Sequence, residues 1–297
     1  MPYPENSNDK LSSHPLPEDK GMAAKLWQDV FHDTDVFVNL FFSRVYKPEN
    51  TLVIKHSGKI MAAMQMVPYD IKIKNKIIPS AYICGVCTHP SERGKGLMNK
   101  LMHEAMSEMQ KRSFSLATLI PAEPWLFDFY KKFGYTQPIN YSIEEYTCQR
   151  QSDAVMKTNC PYTFAECANE HFPYFDSKQR ERKCAVLHHA YDFETIIRDL
   201  KCDGGNAYVA LDNKIPAGMV FAKKISDQSA LIKEILYNDR QVKISLYEHV
   251  CEIYNVRHIK TRIPVHPKEK TRPYGLACIL DKRIADIPDI YMSLMLD

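Results

Sequence analysis

Apolar positions recur at helical spacing from Lys20 to Val45: Leu26, Trp27, Val30 and Phe31, then Val36, Phe37, Leu40 and Phe41. Residues three and four apart share one face of a helix, so this run predicts helical structure. The polar pair Asp33-Thr34 divides it into two short helices. The period then changes. Thr51 to Ile54 and Ile60 to Val67 flank the polar turn His56-Ser57-Gly58-Lys59, which is the pattern of a β-hairpin. A second turn near Asn75 and Lys76 leads into a strand at Ala81 to Thr88. Helical spacing returns with Leu97, Met98, Leu101, Met102, Ala105, Met106 and Met109, predicting an amphipathic helix over Leu97 to Lys111. Phe114 to Ile120 reads as a short buried strand, Pro124 to Phe133 as an aromatic-rich helix closed by Gly134, and Tyr141 to Tyr146 as a further strand.

The second half repeats this order. Ala207 to Leu211, the turn Asp212-Asn213-Lys214, Gly218 to Lys223 and Leu231 to Leu236 are strands; Gln241 to Tyr254 is a helix, and Ile259 to Val265 another strand. Between the third strand and the helix stands Tyr237-Asn238-Asp239-Arg240, which contains no glycine. Ahead of both halves, Pro2, Pro4, Pro15 and Pro17 lie among polar residues and predict an extended or loosely docked arm. The expected organisation is an N-terminal arm over 1–18, a first domain over 19–150 and a second over 151–297. Strands mixed with helices in this order predict an α/β (α+β) fold, each domain a mixed, largely antiparallel sheet flanked by helices.

With 297 residues, 45% apolar and 25% charged, each half has enough material for its own core. A net charge of +3, with basic residues spread along the chain, gives no footprint for nucleic acid. Neither a leader pattern nor an apolar run of membrane-spanning length is present, so no membrane partner is expected and the cytoplasm is the default address. Nine cysteines at irregular spacing fit reduced thiols better than a disulfide framework. Cys84 and Cys87 form a CxxC, but they sit in a strand and read as buried cysteines rather than a metal or redox pair. Cys160, Cys167 and His171 have no fourth ligand at a zinc-like spacing, so no metal is expected.

The informative stretch is Gly85-Val86-Cys87-Thr88-His89-Pro90-Ser91-Glu92-Arg93-Gly94-Lys95-Gly96-Leu97-Met98. It reads as a strand, a basic glycine-containing turn and a helix start. Such a turn leaves backbone N–H groups pointing outward at a helix N-terminus, which carries about half a positive charge and attracts a pyrophosphate. Gly94 and Gly96 let the backbone approach the anion, and Arg93 and Lys95 add charge. Neither GxxxxGK[ST] nor GxGxxG occurs, so this is not a P-loop or a dinucleotide fingerprint.

These residues resemble the GNAT superfamily of N-acetyltransferases, whose signature R/Q-x-x-G-x-G/A opens a helix after the fourth strand. Arg93, Gly96 and the helix from Leu97 fall on it, while Met98 replaces the final Gly or Ala. The same departure marks the branch named for the enhanced intracellular survival protein, in which a second GNAT-like domain lacks the cofactor motif. The resemblance implies acetyl-coenzyme A as co-substrate, with its pantetheine arm along Val86, Cys87 and Thr88. It places the pyrophosphate on the amides of Arg93, Gly94, Lys95, Gly96, Leu97 and Met98, and the thioester end beside Ala122 and Glu123. Within Phe129-Tyr130-Lys131-Lys132-Phe133-Gly134-Tyr135 it casts Tyr130 as general acid. The implied acceptor is a primary amine of a small molecule or peptide. A homo-oligomer is among the expectations, since the branch assembles.

Those residue types suit the chemistry. An alkylamine of pKa about 10 must lose a proton before it attacks, and the departing thiolate needs one, which a buried phenol can supply. A strand amide near Val86 or Cys87 would hold the carbonyl oxygen as it gathers charge. Rival readings stand beside each role. Tyr130 and Phe129 also fit core aromatics, Glu123 fits a base or a helix cap, His89 a solvated loop histidine and Lys95 a solvated charge. Phe37, Phe41, Phe42, Trp125 and Tyr141 fit an acceptor pocket or simple packing. In the related branch the base is a C-terminal carboxylate; that role is not carried over to Asp297, and the base is left unassigned. The alternative to an enzyme is a non-catalytic module that binds acyl-coenzyme A as sensor or scaffold.

Overall fold

A single left-handed residue divides the first helical run. The computed structural model describes residues 12–148, 160–284 and 287–296. After β1 (Ser12–Ser13) comes α1 (Lys20–Phe31), which ends on His32 at φ 57°; α2 (Asp35–Arg44) then restarts on Thr34, whose hydroxyl accepts the Phe37 N–H at 3.3 Å. A left-handed stop followed by a fresh N-cap turns one apolar period into two helices. Of the expected arm, residues 1–11 lie outside the described residues, and Ser12 and Ser13 pair with Ile54 and Val53.

Next come β2 (Thr51–His56), β3 (Lys59–Ile73), β4 (Lys76–Thr88), α3 (Leu97–Lys111), β5 (Leu116–Leu119), α4 (Pro124–Lys131) and β6 (Gln137–Thr147). They are followed by β7 (Thr163–Glu166), α5 (Phe172–Glu181), β8 (Cys184–Leu187) and α6 (Ala190–Cys202). The chain closes with β9 (Asn206–Asp212), β10 (Ile215–Ser226), β11 (Ser229–Tyr237), α7 (Arg240–Tyr254), β12 (His258–Ile263) and β13 (Thr271–Ile279). Two compact units result. The first takes the chain to Pro68, Pro79–Gln137 and Leu276–Ile284; the second takes Tyr69–Ile78, Pro138–Gly275 and the remainder.

In the first unit the strands lie in the order β1-β2-β3-β4-β5-β13. β4 and β5 are parallel, which requires a crossover, and α3 supplies it. Leu97, Leu101, Met102, Ala105 and Met109 of α3 pack on Leu52, Ile54, Ala62, Met64, Met66, Ala81 and Ile83. Each large apolar side chain so buried contributes about 1.5–3 kcal/mol. The end of β13 closes the unit, pairing Leu276 with Leu119 and Ile279 with Leu116.

The second unit repeats the plan, in the strand order β6-β12-β11-β10-β9-β7 with β11 and β12 parallel and α7 between them. Alternation along β10 sets its two faces: Val220 and Ala222 pack under α7, while Met219 and Phe221 pack with Phe175 of α5 and Phe193 and Ile196 of α6. The pattern of apolar positions had not marked α5, β8, α6 or β13. The expectation of reduced thiols needs one correction, because Cys148 and Cys251 form a disulfide with Cα atoms 6.4 Å apart. The ends of β6 and α7 bring them within bridging range. The other seven cysteines are free.

Candidate active site

β4 outruns its neighbour. The parallel ladder joins Ser80, Ala81, Tyr82 and Ile83 to Leu116 through Leu119, and there β5 ends while β4 continues to Thr88. From Cys84 onward the β5 side of β4 therefore carries no strand among the described residues. The other side stays tied to β3, where His89 donates its N–H to the Met61 carbonyl at 2.8 Å. The departure begins at Gly85, which sits at φ +58° with the Trp27 indole against it. A glycine inside an apolar strand run is the sequence signal for such a left-handed residue. Beyond it Val86 and Thr88 are half-buried and Cys87 is buried. The Thr88 hydroxyl is buried and meets no hydrogen-bond partner among the described residues. Burial raises both nearby thiols, that of Cys87 to about 12, so neither is a ready nucleophile.

The following turn is tied down at its start only. His89 Nδ1 accepts the Ser91 N–H at 3.3 Å, and the Glu92 and Arg93 amides bond back to His89 and Pro90 at 2.9 and 3.4 Å. Backbone pairing resumes with the Lys100 N–H on the Gly96 carbonyl at 3.1 Å. The amides of Gly94, Lys95, Gly96, Leu97, Met98 and Asn99 have no such bond among the described residues. Gly94 and Gly96 hold φ +77° and +76° with open space where a side chain would stand, and Gly96 caps α3 without any side-chain acceptor. Arg93, Gly94, Lys95 and Gly96 are all exposed. Lys95 is neither free in solvent nor pointed outward alone, since its ammonium lies 3.0 Å from the buried Glu92 carboxylate.

Tyr130 comes from the end of α4. It is 7% exposed, in a cluster with Leu97, Leu119, Phe133 and Tyr135, against which Val86 and Met98 also pack. One cluster thus holds residues from the strand, the start of α3 and α4. Burial raises the Tyr130 phenol to about 12, and its hydroxyl has no hydrogen-bond partner among the described residues. Ala122 and Glu123 are exposed; Glu123 takes the N-cap position of α4 but makes no side-chain capping bond. Phe41 and Phe42 are buried around Trp27, Tyr141 packs on Tyr274, and Trp125 stays 65% exposed. Asp297 lies outside the described residues. No three His, Cys, Asp or Glu side chains gather as a metal site among the described residues, and no helix there is long and apolar enough to cross a membrane.

Residues 17–137 match the family model of the GNAT acetyltransferase domain. The fold resembles a crystal structure from Enterococcus faecalis V583, described as a conserved protein of unknown function and probable N-acyltransferase. That likeness has a TM-score of 0.74 and 15% identity over 92% of this chain and 73% of that one. Eis1 from Mycobacterium abscessus aligns with a TM-score of 0.67 and 11% identity over 91% of this chain and 74% of that one. N-myristoyltransferase of Saccharomyces cerevisiae with bound myristoyl-CoA gives 0.57 and 12% over 94% and 84%. No curated protein sequence matches the chain. The family match assigns acyl-coenzyme A-dependent N-acetyltransferase chemistry to residues 17–137.

Proposed function

We propose, from the premise that residues 17–137 are a GNAT acetyltransferase domain, that the chain moves an acetyl group from acetyl-coenzyme A to a primary amine of a small molecule or peptide. Tyr130 is the general acid. The observation that carries this reading is the run of amides from Gly94 to Asn99, unpaired among the described residues, at the N-terminus of a fifteen-residue helix, next to the open side of β4.

The residues fit the co-substrate. The amides from Gly94 to Met98 and the exposed Arg93 guanidinium hold a diphosphate, and the side of β4 that carries no strand among the described residues takes an amide-bearing arm as an added strand at Val86, Cys87 and Thr88. Ala122 and Glu123 border the far end. The bound group supplies an activated acetyl thioester. A β4 amide at Val86 or Cys87 faces the carbonyl oxygen and stabilises the charge that develops there. Tyr130 holds its proton at Oη throughout the neutral range, because burial raises it to about 12, and gives it to the departing sulfur.

The second domain, 151–297, is read as GNAT-like without a cofactor site, and the two helix starts support this. α3 opens on a bare glycine. α7 opens on Asp239, whose carboxylate accepts the Gln241 and Val242 amides at 2.8 and 3.0 Å and so fills the place of an anion with its own charge. A cytoplasmic setting goes with the seven free cysteines.

Thiol release from acetyl-coenzyme A across a panel of amines tests the proposal, comparing the wild type with Tyr130→Phe and Gly96→Asp. Turnover that needs an amine and is lost in both variants is expected. If no amine supports turnover and neither variant changes anything, the enzyme reading fails; tight binding by calorimetry without turnover identifies a binding module instead.

A further inference from the structure

The geometry points to Trp27 as a positioning residue that fixes the left-handed backbone of β4 at Gly85, and so the open edge on which acetyl-coenzyme A binding depends; this inference rests on the function proposed above. A Cβ built on Gly85 would stand 2.0 Å from the Trp27 ring and within 2.8 Å of two more of its atoms. The indole therefore occupies the space that any side chain at position 85 would need. Glycine at φ +58° has no preference of its own for that conformation, because it populates both signs of φ with similar ease. Something outside the strand must select it, and the ring lying on it does so.

The ring itself is held from several directions. Its Nε1–H donates to the Asp33 carboxylate at 2.8 Å, between α1 and α2. Phe41 lies 4.5 Å away centroid to centroid, Phe31 5.1 Å and Phe42 5.9 Å. Only 6% of Trp27 is exposed. The contact falls two residues beyond Ile83, the last β4 residue paired to β5, and one before Val86, the first residue of the proposed pantetheine edge. Trp27 thus touches no proposed ligand group; it acts through Gly85. Shrinking the ring frees the Gly85 backbone, so that the strand edge is no longer held ready for the arm, and a displacement on the order of 1 Å at a reacting centre can cost about a hundredfold.

The experiment measures acetyl-coenzyme A affinity by calorimetry for the wild type, Trp27→Phe and Trp27→Leu, with thermal melts to confirm folding. It also follows tryptophan emission in Trp125→Phe, where Trp27 is the sole indole, since the chain has two tryptophans. We expect affinity to fall about tenfold or more in Trp27→Leu and by less in Trp27→Phe, and Trp27 emission to change as ligand saturates. Should Trp27→Leu fail to fold, Trp27→Phe and the emission titration decide the matter alone. Folded variants that match wild-type affinity, or emission that ignores bound ligand, would overturn the inference and leave the site standing. A wild type that binds no acetyl-coenzyme A would overturn the reading of the site itself, and the inference with it.

Discussion

The rings of Tyr130 and Tyr135 lie 6.1 Å apart at 63°, and burial raises both phenols. Their hydroxyls differ in use. That of Tyr135 is wholly enclosed and meets no partner among the described residues, while Tyr130 ends the helix that follows the exposed Ala122 and Glu123. Tyr130→Phe is expected to lower kcat by about 10²–10⁴, the usual worth of a placed acid, with acetyl-coenzyme A affinity kept. Tyr135→Phe removes a hydroxyl that contributes no bond, so stability in a denaturant titration is expected to hold or rise. A Tyr130→Phe enzyme with full turnover would remove the general acid from the scheme.

Because Tyr130 stays protonated up to about 12, its ionisation does not shape the rate near neutrality. The acceptor amine does, with a pKa of about 10. The rate at subsaturating acceptor is therefore expected to rise about tenfold per pH unit below that pKa. A profile that falls between neutrality and mild alkali would place a lower-pKa acid in the site.

Gly96 offers a graded test of the turn. Nothing lies within 4 Å of an added Cβ, so Gly96→Ala meets no clash and incurs only the left-handed backbone cost, about 1–2 kcal/mol. That cost is expected as a lower melting temperature if the turn keeps its shape, or as weaker binding if it relaxes. Gly96→Asp adds a charge of the wrong sign beside the free amides and is expected to weaken binding well beyond the alanine variant. Equal affinities for the two would mean that no anion sits there.

What the chain discloses by pattern alone is what local forces decide. The helix Leu97–Lys111 could be read to the residue, since a glycine turn precedes it and its period is unbroken. The strands flanking His56-Ser57-Gly58-Lys59 were equally plain. β13 was not, because its reason for being a strand is β5, more than a hundred residues earlier in the chain. α5 is mostly polar and offers little period, whereas α6 does carry an apolar stripe at Phe193, Ile196, Ile197 and Leu200; both are stabilised by burying Phe175 and Phe193 on β10. At the site, the motif residues were legible one by one. The ion pair from Lys95 to Glu92 and the left-handed Gly85 held by Trp27 were not, since each depends on what the fold brings near.

The two helix starts predict a stoichiometry. With Asp239 filling the amides of α7 and Gly96 leaving those of α3 bare, calorimetry is expected to count one acetyl-coenzyme A per chain. Asp239→Ala is expected to cost about 0.5–2 kcal/mol of stability through the lost cap. Two sites of similar affinity in the wild type would contradict the assignment of the second domain.

Acid should loosen the second unit through one histidine. His188 is 2% exposed; its Nε2–H donates to the Ser293 carbonyl at 2.8 Å, and its Nδ1 is buried with no partner among the described residues. Burial pushes its pKa below 6.5, Arg182 lowers it further, and Asp192 and Glu234 pull the other way without restoring it. Ser293 also donates its hydroxyl to Glu234 at 2.6 Å, and Arg182 holds the same carboxylate through two bonds of 2.6 Å. The imidazole therefore sits at the junction that fixes the buried segment Ile290–Leu296. In the unfolded chain the ring takes a proton near 6.5, whereas in the fold it does so only at lower pH, so acid favours unfolding. The stabilisation is complete above about 6.5 and is lost as pH falls through the depressed folded value. Melting temperature is expected to be flat above neutrality and to drop below it. His188→Gln keeps an N–H donor for Ser293 and cannot titrate, so its profile is expected to be flatter. If wild type and variant lose stability in parallel as the solution is acidified, the proton is binding elsewhere.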